Sequence, residues 1–453
     1  MNAAVKTIHA QRALLPAGWR RDVRLTLDGG RISNVEQDVV TAAPGDERHA
    51  VLIPAMPNLH SHAFQRAMAG LTEVRGSTDD SFWSWRTVMY KFALSMTPDH
   101  VEAVAAQLYI EMLEAGFSRV GEFHYLHHDK DGAPYADIAE MATRVAAASV
   151  ETGIGLTLLP VFYAHSGFGG AQPIEGQRRF INSVDSYGRL MECCETIAAG
   201  IETARLGIAP HSLRAATSDE LNAILPLAKG GPIHIHIAEQ VKEVEDCVAW
   251  SKARPVEWLL ANAPVDDRWC LIHATHMTDD ETRGMARSGA IAGLCPITEA
   301  NLGDGTFPAT LFLQEGGKLG VGSDSNVMIS LPGELSQLEY SQRLARGARN
   351  VIAVPGGSTG RALFDHAIAG GDAALASHAG LAEGCHADMV SLDCSAAPHL
   401  AEDQILDHWV FAGGVRVSSV WAGGRKLVEG GRHHLRDTIH QRFLKALGEL
   451  MAQ

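Results

Sequence analysis

The stretch Pro232-Ile233-His234-Ile235-His236-Ile237-Ala238-Glu239 decides the fold. Isoleucine and histidine alternate, so Ile233, Ile235 and Ile237 share one face while His234 and His236 share the other, as on a β-strand. No lysine, arginine or glycine interrupts the run. A strand of this kind, short and bounded by helical sequence, belongs in a buried parallel sheet. His236 lies nearest its carboxyl end, with Glu239 three residues on. His234 lies deeper and reads as a residue of the interior.

The same design recurs on both sides. Candidate strands are VLIPAMPNL, SRVGEFHY, GIGLTLLPVFY, RLGIAP, PIHIHIAE, WCLIHA, GAIAGLCP and KLGVGSD, eight in all. Helical stretches such as DHVEAVAAQLYIEMLEAG and DIAEMATRVAAASVETG lie between them. Eight strand–helix units predict a (β/α)8 barrel over residues 54–380. The ends differ. Residues 1–53 hold alternating stretches with the turn Asp28-Gly29-Gly30, and residues 381–453 hold similar strands before a last helical stretch. They predict a small β-sandwich domain built from both termini, which would bring the termini together.

Composition narrows the function. The chain has 453 residues, 46% of them hydrophobic, and a net charge of −15 with scattered lysines and arginines. Such a chain repels nucleic acid and anionic membranes, so neither is an expected partner. Seven cysteines without a CxxC pair suit a reducing cytosol. The first residues lack the pattern of a signal peptide, and apolar runs are too short to span a bilayer. A cytoplasmic location is expected, and a homodimer on base rates.

Barrel enzymes carry their chemistry at the carboxyl ends of the strands. Four clusters fall there: Asn58-Leu59-His60-Ser61-His62; His236 with Glu239; His273 after LeuIle; and Asp324 in Gly322-Ser323-Asp324. Residues two apart on an extended segment face the same way, so His60 and His62 can converge on one ion. Taken singly, each has a bland alternative. His60 and His62 could be a chance pair among 22 histidines, and Asp324 could cap a helix. Their common position at one barrel end favours a metal held by His60, His62, His236 and Asp324, with Glu239 as proton carrier and His273 assisting. Zinc is the first choice, although iron and manganese also suit three histidines and a carboxylate. The His124, His127, His128 group is read as surface loop histidines rather than a second metal site.

These motifs resemble the mononuclear deaminase branch of the amidohydrolase superfamily. No lysine follows strand four, where dinuclear members carry a bridging group; the stretch reads Gly207-Ile208-Ala209-Pro210-His211-Ser212. Within the branch, NLHSHAFQRAMAGLTE, SFWSWRTVMY, GEFHYLHH, GIAPHSLRA, HIHIAEQ and CPITEANLGDG resemble deiminases of a linear amidine. The resemblance implies hydrolysis of N-formimidoyl-L-glutamate to N-formyl-L-glutamate and ammonia, a step of histidine degradation. It also implies that catalysis involves Glu239, His273 and Asp324.

A substrate with two carboxylates needs cationic partners, and planar arginine is the usual one. Arg86, on a loop after strand one, and Arg214, at the mouth of strand four, are the candidates. Gln65, Tyr125 and His211 could add contacts. Arg86 could instead be a surface arginine packed on tryptophan, and Trp83 and Trp85 could be loop core or a lid. The rival functions are deamination of a ring such as guanine or cytosine, and a non-catalytic scaffold on the same barrel.

Overall fold

The computed structural model describes residues 6–75 and 82–452. Eight strands line the barrel: β1 (Met56–Ser61), β2 (Phe117–His124), β3 (Gly155–Phe162), β4 (Arg205–Leu206 and Ala209–Pro210), β5 (Ile233–Ile237), β6 (Trp269–His273), β7 (Ile291–Leu294) and β8 (Lys318–Val321). They match the eight strands read from sequence. β1 to β4 form one parallel ladder and β5 to β8 another. Single bridges close the two seams: Ser61 with Asp324 on one side, Ile208 with Ile233 and Ser212 with His236 on the other.

β4 is broken where the sequence suggested one run. Gly207 donates its N–H back to Leu158 on β3, and Ile208 donates forward to Pro232 ahead of β5. A Cβ on Gly207 would lie 2.4 Å from the Pro232 carbonyl oxygen, so a side chain there would wedge this seam apart.

The helix Pro98–Ala115 shows how local signals set the outer layer. Thr97 caps it by accepting from the His100 N–H, Pro98 supplies a preset φ, and Gly116 ends it at φ 101°. The helix Thr359–Leu375 runs beneath the barrel, opposite the catalytic end. Its last carbonyls accept from His234 Nε2–H (2.8 Å) and Thr157 Oγ–H (3.0 Å). His234 is therefore an interior residue, as its depth in the strand implied. A Cβ on Gly370 would lie 1.9 Å from the Leu319 carbonyl oxygen. Gly370→Ala is expected to cost about 1–3 kcal/mol, measured as a lower denaturant midpoint. An unchanged midpoint would show that the helix can back away.

Both ends of the chain enter one eight-stranded sheet, ordered Arg432–His433, Arg425–Glu429, Arg416–Ala422, Met389–Asp393, Glu47–Pro54, Lys6–Leu15, Gly18–Asp28 and Arg31–Glu36. The pairing is antiparallel except between Lys6–Leu15 and Glu47–Pro54. Alternation divides its side chains. Val51 and Ile53 join the main core, while Leu52 between them joins a second core with Val23, Leu25, Met389 and Trp421. No helix among the described residues is long and apolar enough to cross a membrane.

Candidate active site

The seam between β1 and β8 sets the register of the site. Ser323 and Asp324 both donate N–H bonds to the His60 carbonyl (3.0 Å each), and His62 donates to the Asp324 carbonyl (3.1 Å). Beneath them Asn58, Ser323 and Asn326 form a buried chain of side-chain bonds that ends on Ser61 and the His62 carbonyl. At the other seam, the His236 N–H donates to the His211 carbonyl at 3.0 Å. Barrel closure thus brings residues far apart in sequence onto one spot. His60 Nε2 lies 3.1 Å from His236 Nε2, and Asp324 Oδ1 lies 3.5 Å from His60 Nε2 and 3.2 Å from His62 Nε2. One ligand atom from each of the four falls within 4.8 Å of the others.

This donor set fits a divalent cation. His62 Nδ1–H donates to the Phe123 carbonyl (2.9 Å) and His236 Nδ1–H to the His211 carbonyl (3.1 Å). Each ring is thereby held in the tautomer that turns an Nε2 lone pair inward. His60 Nε2 lies 3.1 Å from His236 Nε2 and 3.5 Å from Asp324 Oδ1, an arrangement that one cation between them would satisfy. Both rings are held neutral, the form in which imidazole ligates a metal. Burial pushes the His60 imidazole down to about 3, and burial together with His211 and the neighbouring histidines takes His236 well below its ordinary value.

Glu239 and His273 stand beside this centre. His273 Nε2 is 3.9 Å from Glu239 Oε1 and 3.8 Å from Asp324 Oδ2. Burial opposes its protonation, but Glu239, Glu299 and Asp324 together raise it to about 10. Burial raises the Glu239 carboxyl to about 7, against the pull of His273 and Arg214. Glu239 is held through its main chain: Glu243 accepts from the N–H groups of Ala238 (3.2 Å) and Glu239 (3.1 Å), and the Thr275 hydroxyl donates to the Glu239 carbonyl (2.7 Å). Backbone strain gathers here. Ala238, His273, Ala274 and Asp324 have φ of 50°, 69°, 48° and 43°, each costing about 1 kcal/mol or more for a residue with a side chain.

Glu299 has a similar anchoring place that the sequence did not reveal. Its Oε1 accepts from the Cys295 N–H (2.8 Å) and from His273 Nδ1–H (3.3 Å), which turns Nε2 of His273 toward Glu239 and Asp324. Glu299→Gln is expected to lower kcat about 10- to 100-fold with metal content unchanged, the range for loss of a group that orients a site histidine. An unaltered kcat would show that His273 needs no such partner.

Gln65, Arg86, Tyr125, His211 and Arg214 all line one cavity whose inner end is formed by His62, His236, Glu239, His273 and Asp324. His60 lies behind it, fully buried. Gln65 donates to the Tyr125 hydroxyl at 2.8 Å. Arg86 is on the helix Phe82–Ser95, not on the loop expected from sequence. The aromatic residues of SFWSWRTVMY masked a helical spacing in which Phe82, Trp85, Arg86, Met89 and Tyr90 face the cavity together. Tyr163 and Phe180 complete the wall and carried no sequence signal. The Arg86 guanidinium lies 4.7 Å from the Trp83 ring centre, and that of Arg214 lies 6.0 Å from the same ring. Among the described residues, neither arginine is in an ion pair with a carboxylate.

The reading of His124, His127 and His128 as surface residues is corrected. They are 3%, 1% and 5% exposed. His127 Nε2–H donates to the Val161 carbonyl and His128 Nε2–H to the Ile181 carbonyl, so they tie the β2 loop to its neighbours. Hydrophilic flanks such as Asp129-Lys130-Asp131 made the segment read as exposed.

Comparisons with known proteins agree with this fold. A model of the amidohydrolase family matches residues 51–427, and one of the N-terminal domain of formimidoylglutamate deiminase HutF matches residues 5–50. The chain belongs to the amidohydrolase family. Within it, the chain is 50% identical over 458 residues to the formimidoylglutamate deiminase of Pseudomonas aeruginosa, covering 99% of this chain and 100% of that one. Among solved structures, an amidohydrolase from Brucella melitensis is 61% identical with a TM-score of 0.96, covering 98% of this chain and 100% of that one. A zinc-bound adenosine deaminase from Xanthomonas campestris shares the fold at 20% identity, with a TM-score of 0.81 over 99% of this chain and 98% of that one.

Proposed function

We propose that this chain hydrolyses N-formimidoyl-L-glutamate to N-formyl-L-glutamate and ammonia, a step of histidine degradation. The observation that carries the substrate choice is the pair Arg86 and Arg214, two guanidiniums without an ion-pair partner among the described residues, on a cavity that ends at Glu239. An unpaired buried cation such as Arg214 is costly, and a substrate with two carboxylates would pair it and the half-buried Arg86 together. The 50% identity to the Pseudomonas aeruginosa deiminase supports the same substrate.

His60, His62, His236 and Asp324 would hold one divalent ion, zinc in our proposal. Such an ion supplies Lewis acidity and makes a water molecule acidic near neutral pH. The chain does the rest. Glu239 takes a proton from the attacking water and returns it to the departing nitrogen, a task suited to a carboxyl raised to about 7 by burial. His273, charged between three carboxylates, orients the water with Asp324. Arg86 and Arg214 hold the substrate carboxylates, with Gln65, Tyr125 and His211 completing the contacts. The aromatic wall of Phe82, Trp85 and Tyr90 keeps bulk water out.

The catalytic unit of this proposal is residues 54–380, with 1–53 and 381–453 as one composite domain. A cytoplasmic homodimer is its proposed form. Ammonia release should be seen with formimidoylglutamate and not with guanine or cytosine; turnover of a ring compound alone would sink the assignment. Elemental analysis should find about one divalent ion per chain on chelator-free purification. A small fraction of an equivalent would favour the non-catalytic scaffold.

A further inference from the structure

The opposite end of the barrel carries a second polar cavity, where the terminal sheet meets the barrel's amino-terminal face. Arg31, Arg205, Arg425, His386 and Glu202 line it. Arg31 and His386 face each other across a backbone bridge, and Arg205 opens β4. Among the described residues, none of the three arginines is in an ion pair. The side-chain bonds of Arg31 and Arg205 go to main-chain carbonyls, those of Gly384 and Ala204. Behind the lining lies Arg119, 2% exposed, whose NH2 group donates to the Thr203 carbonyl on the cavity wall. Two buried nitrogens here have no hydrogen-bond partner: Arg119 Nε and His386 Nε2. His386 is 9% exposed, and burial together with Arg31, Arg119 and Arg205 lowers it to about 4, so it stays neutral.

We propose that this cavity binds a compact oxyanion carrying two negative charges, of the phosphate or dicarboxylate kind, at a site separate from the active site. The opposing charges are Glu202, the carboxyl ends of the helices Glu140–Thr152 and Val184–Ala199, which stop at Gly153 and Gly200, and behind the lining Asp388 and Asp372, which face Arg119; Asp388 accepts from the Gly423 N–H at 2.7 Å. Each helix end counts for about half a negative charge; Arg119 is offset by the carboxylates beside it, and the three guanidiniums of the lining outweigh Glu202 with the two helix ends. The net charge of −15 opposes an anion at long range. Salt screens that field beyond about 10 Å at 0.1 M, whereas contact with the half-buried Arg205 is screened less, with the exposed Arg31 and Arg425 adding to it. Because the lining comes from the terminal sheet and from the barrel, a bound anion ties the two together.

The test is calorimetric titration of the metal-loaded protein with inorganic phosphate, and separately with glutarate, at fixed ionic strength against chloride. Arg205→Met combined with Arg425→Met should weaken binding by about tenfold or more for each guanidinium lost, while deiminase activity and unliganded Tm stay unchanged. Binding should persist in Arg214→Met, whose lesion is in the active site. Phosphate and glutarate arms that differ in affinity identify which anion the cavity takes. Saturable binding lost in Arg214→Met but kept in the double variant would place the anion in the active site and overturn the proposal. So would absence of saturable binding by either anion. Failure of formimidoylglutamate turnover would leave this result untouched, since the readout is binding.

Discussion

Glu239→Gln is expected to lower kcat by about 100- to 10,000-fold while leaving metal content and fold intact. The size follows from the task. An amide cannot accept a proton from water or return one to the leaving nitrogen, and general acid–base groups contribute on this scale. The specificity of the test follows from the structure. Glu243 and Thr275 grip the main chain around Glu239 rather than its carboxylate, so an isosteric amide leaves both anchors in place. Glu239 is also outside the four-residue donor cluster. Steady-state rates paired with elemental analysis decide the matter. A kcat within a few-fold of the parent would remove Glu239 from the proton path and turn attention to His273.

Arg214→Met is expected to lower kcat/KM for formimidoylglutamate by about 100-fold or more, the cost of leaving a desolvated carboxylate without its cation. Methionine keeps much of the apolar stem, so packing at this 9% exposed position is largely preserved. Arg86→Met should have a smaller effect. Arg86 is less buried and lies over both Trp83 and Tyr90, and its loss leaves Arg214 to hold one carboxylate. Metal content should not change in either variant. Parallel loss of metal and activity would make the arginine a structural residue and withdraw it from the substrate site.

The barrel was legible because its strands are short apolar runs with their polar residues at the carboxyl ends, a pattern that needs no knowledge of distant contacts. The Asn58–His62 segment and the Pro232–Glu239 strand carry both fold and chemistry in a few residues. Helix Phe82–Ser95 was less legible, since its aromatic residues are spread round the helix and obscure its period. The anchoring acids Glu122, Glu243 and Glu299 were not legible at all. Glu122 accepts from the Ala63 N–H just after His62, yet in sequence it is one more carboxylate inside a strand. Their partners include main-chain N–H groups, the Tyr109 hydroxyl and a ring nitrogen, which exist as a set only once the chain has folded.

Which residue types end each strand could be read along the chain, because alternation and apolar runs are local properties. That His60 and His236, 176 residues apart, place their Nε2 atoms 3.1 Å from each other emerges only in three dimensions. That distance depends on seam closure, on the His211 carbonyl fixing the His236 ring, and on strained turns at Ala238, His273 and Asp324. Each of these is a long-range constraint, and no local pattern encodes it.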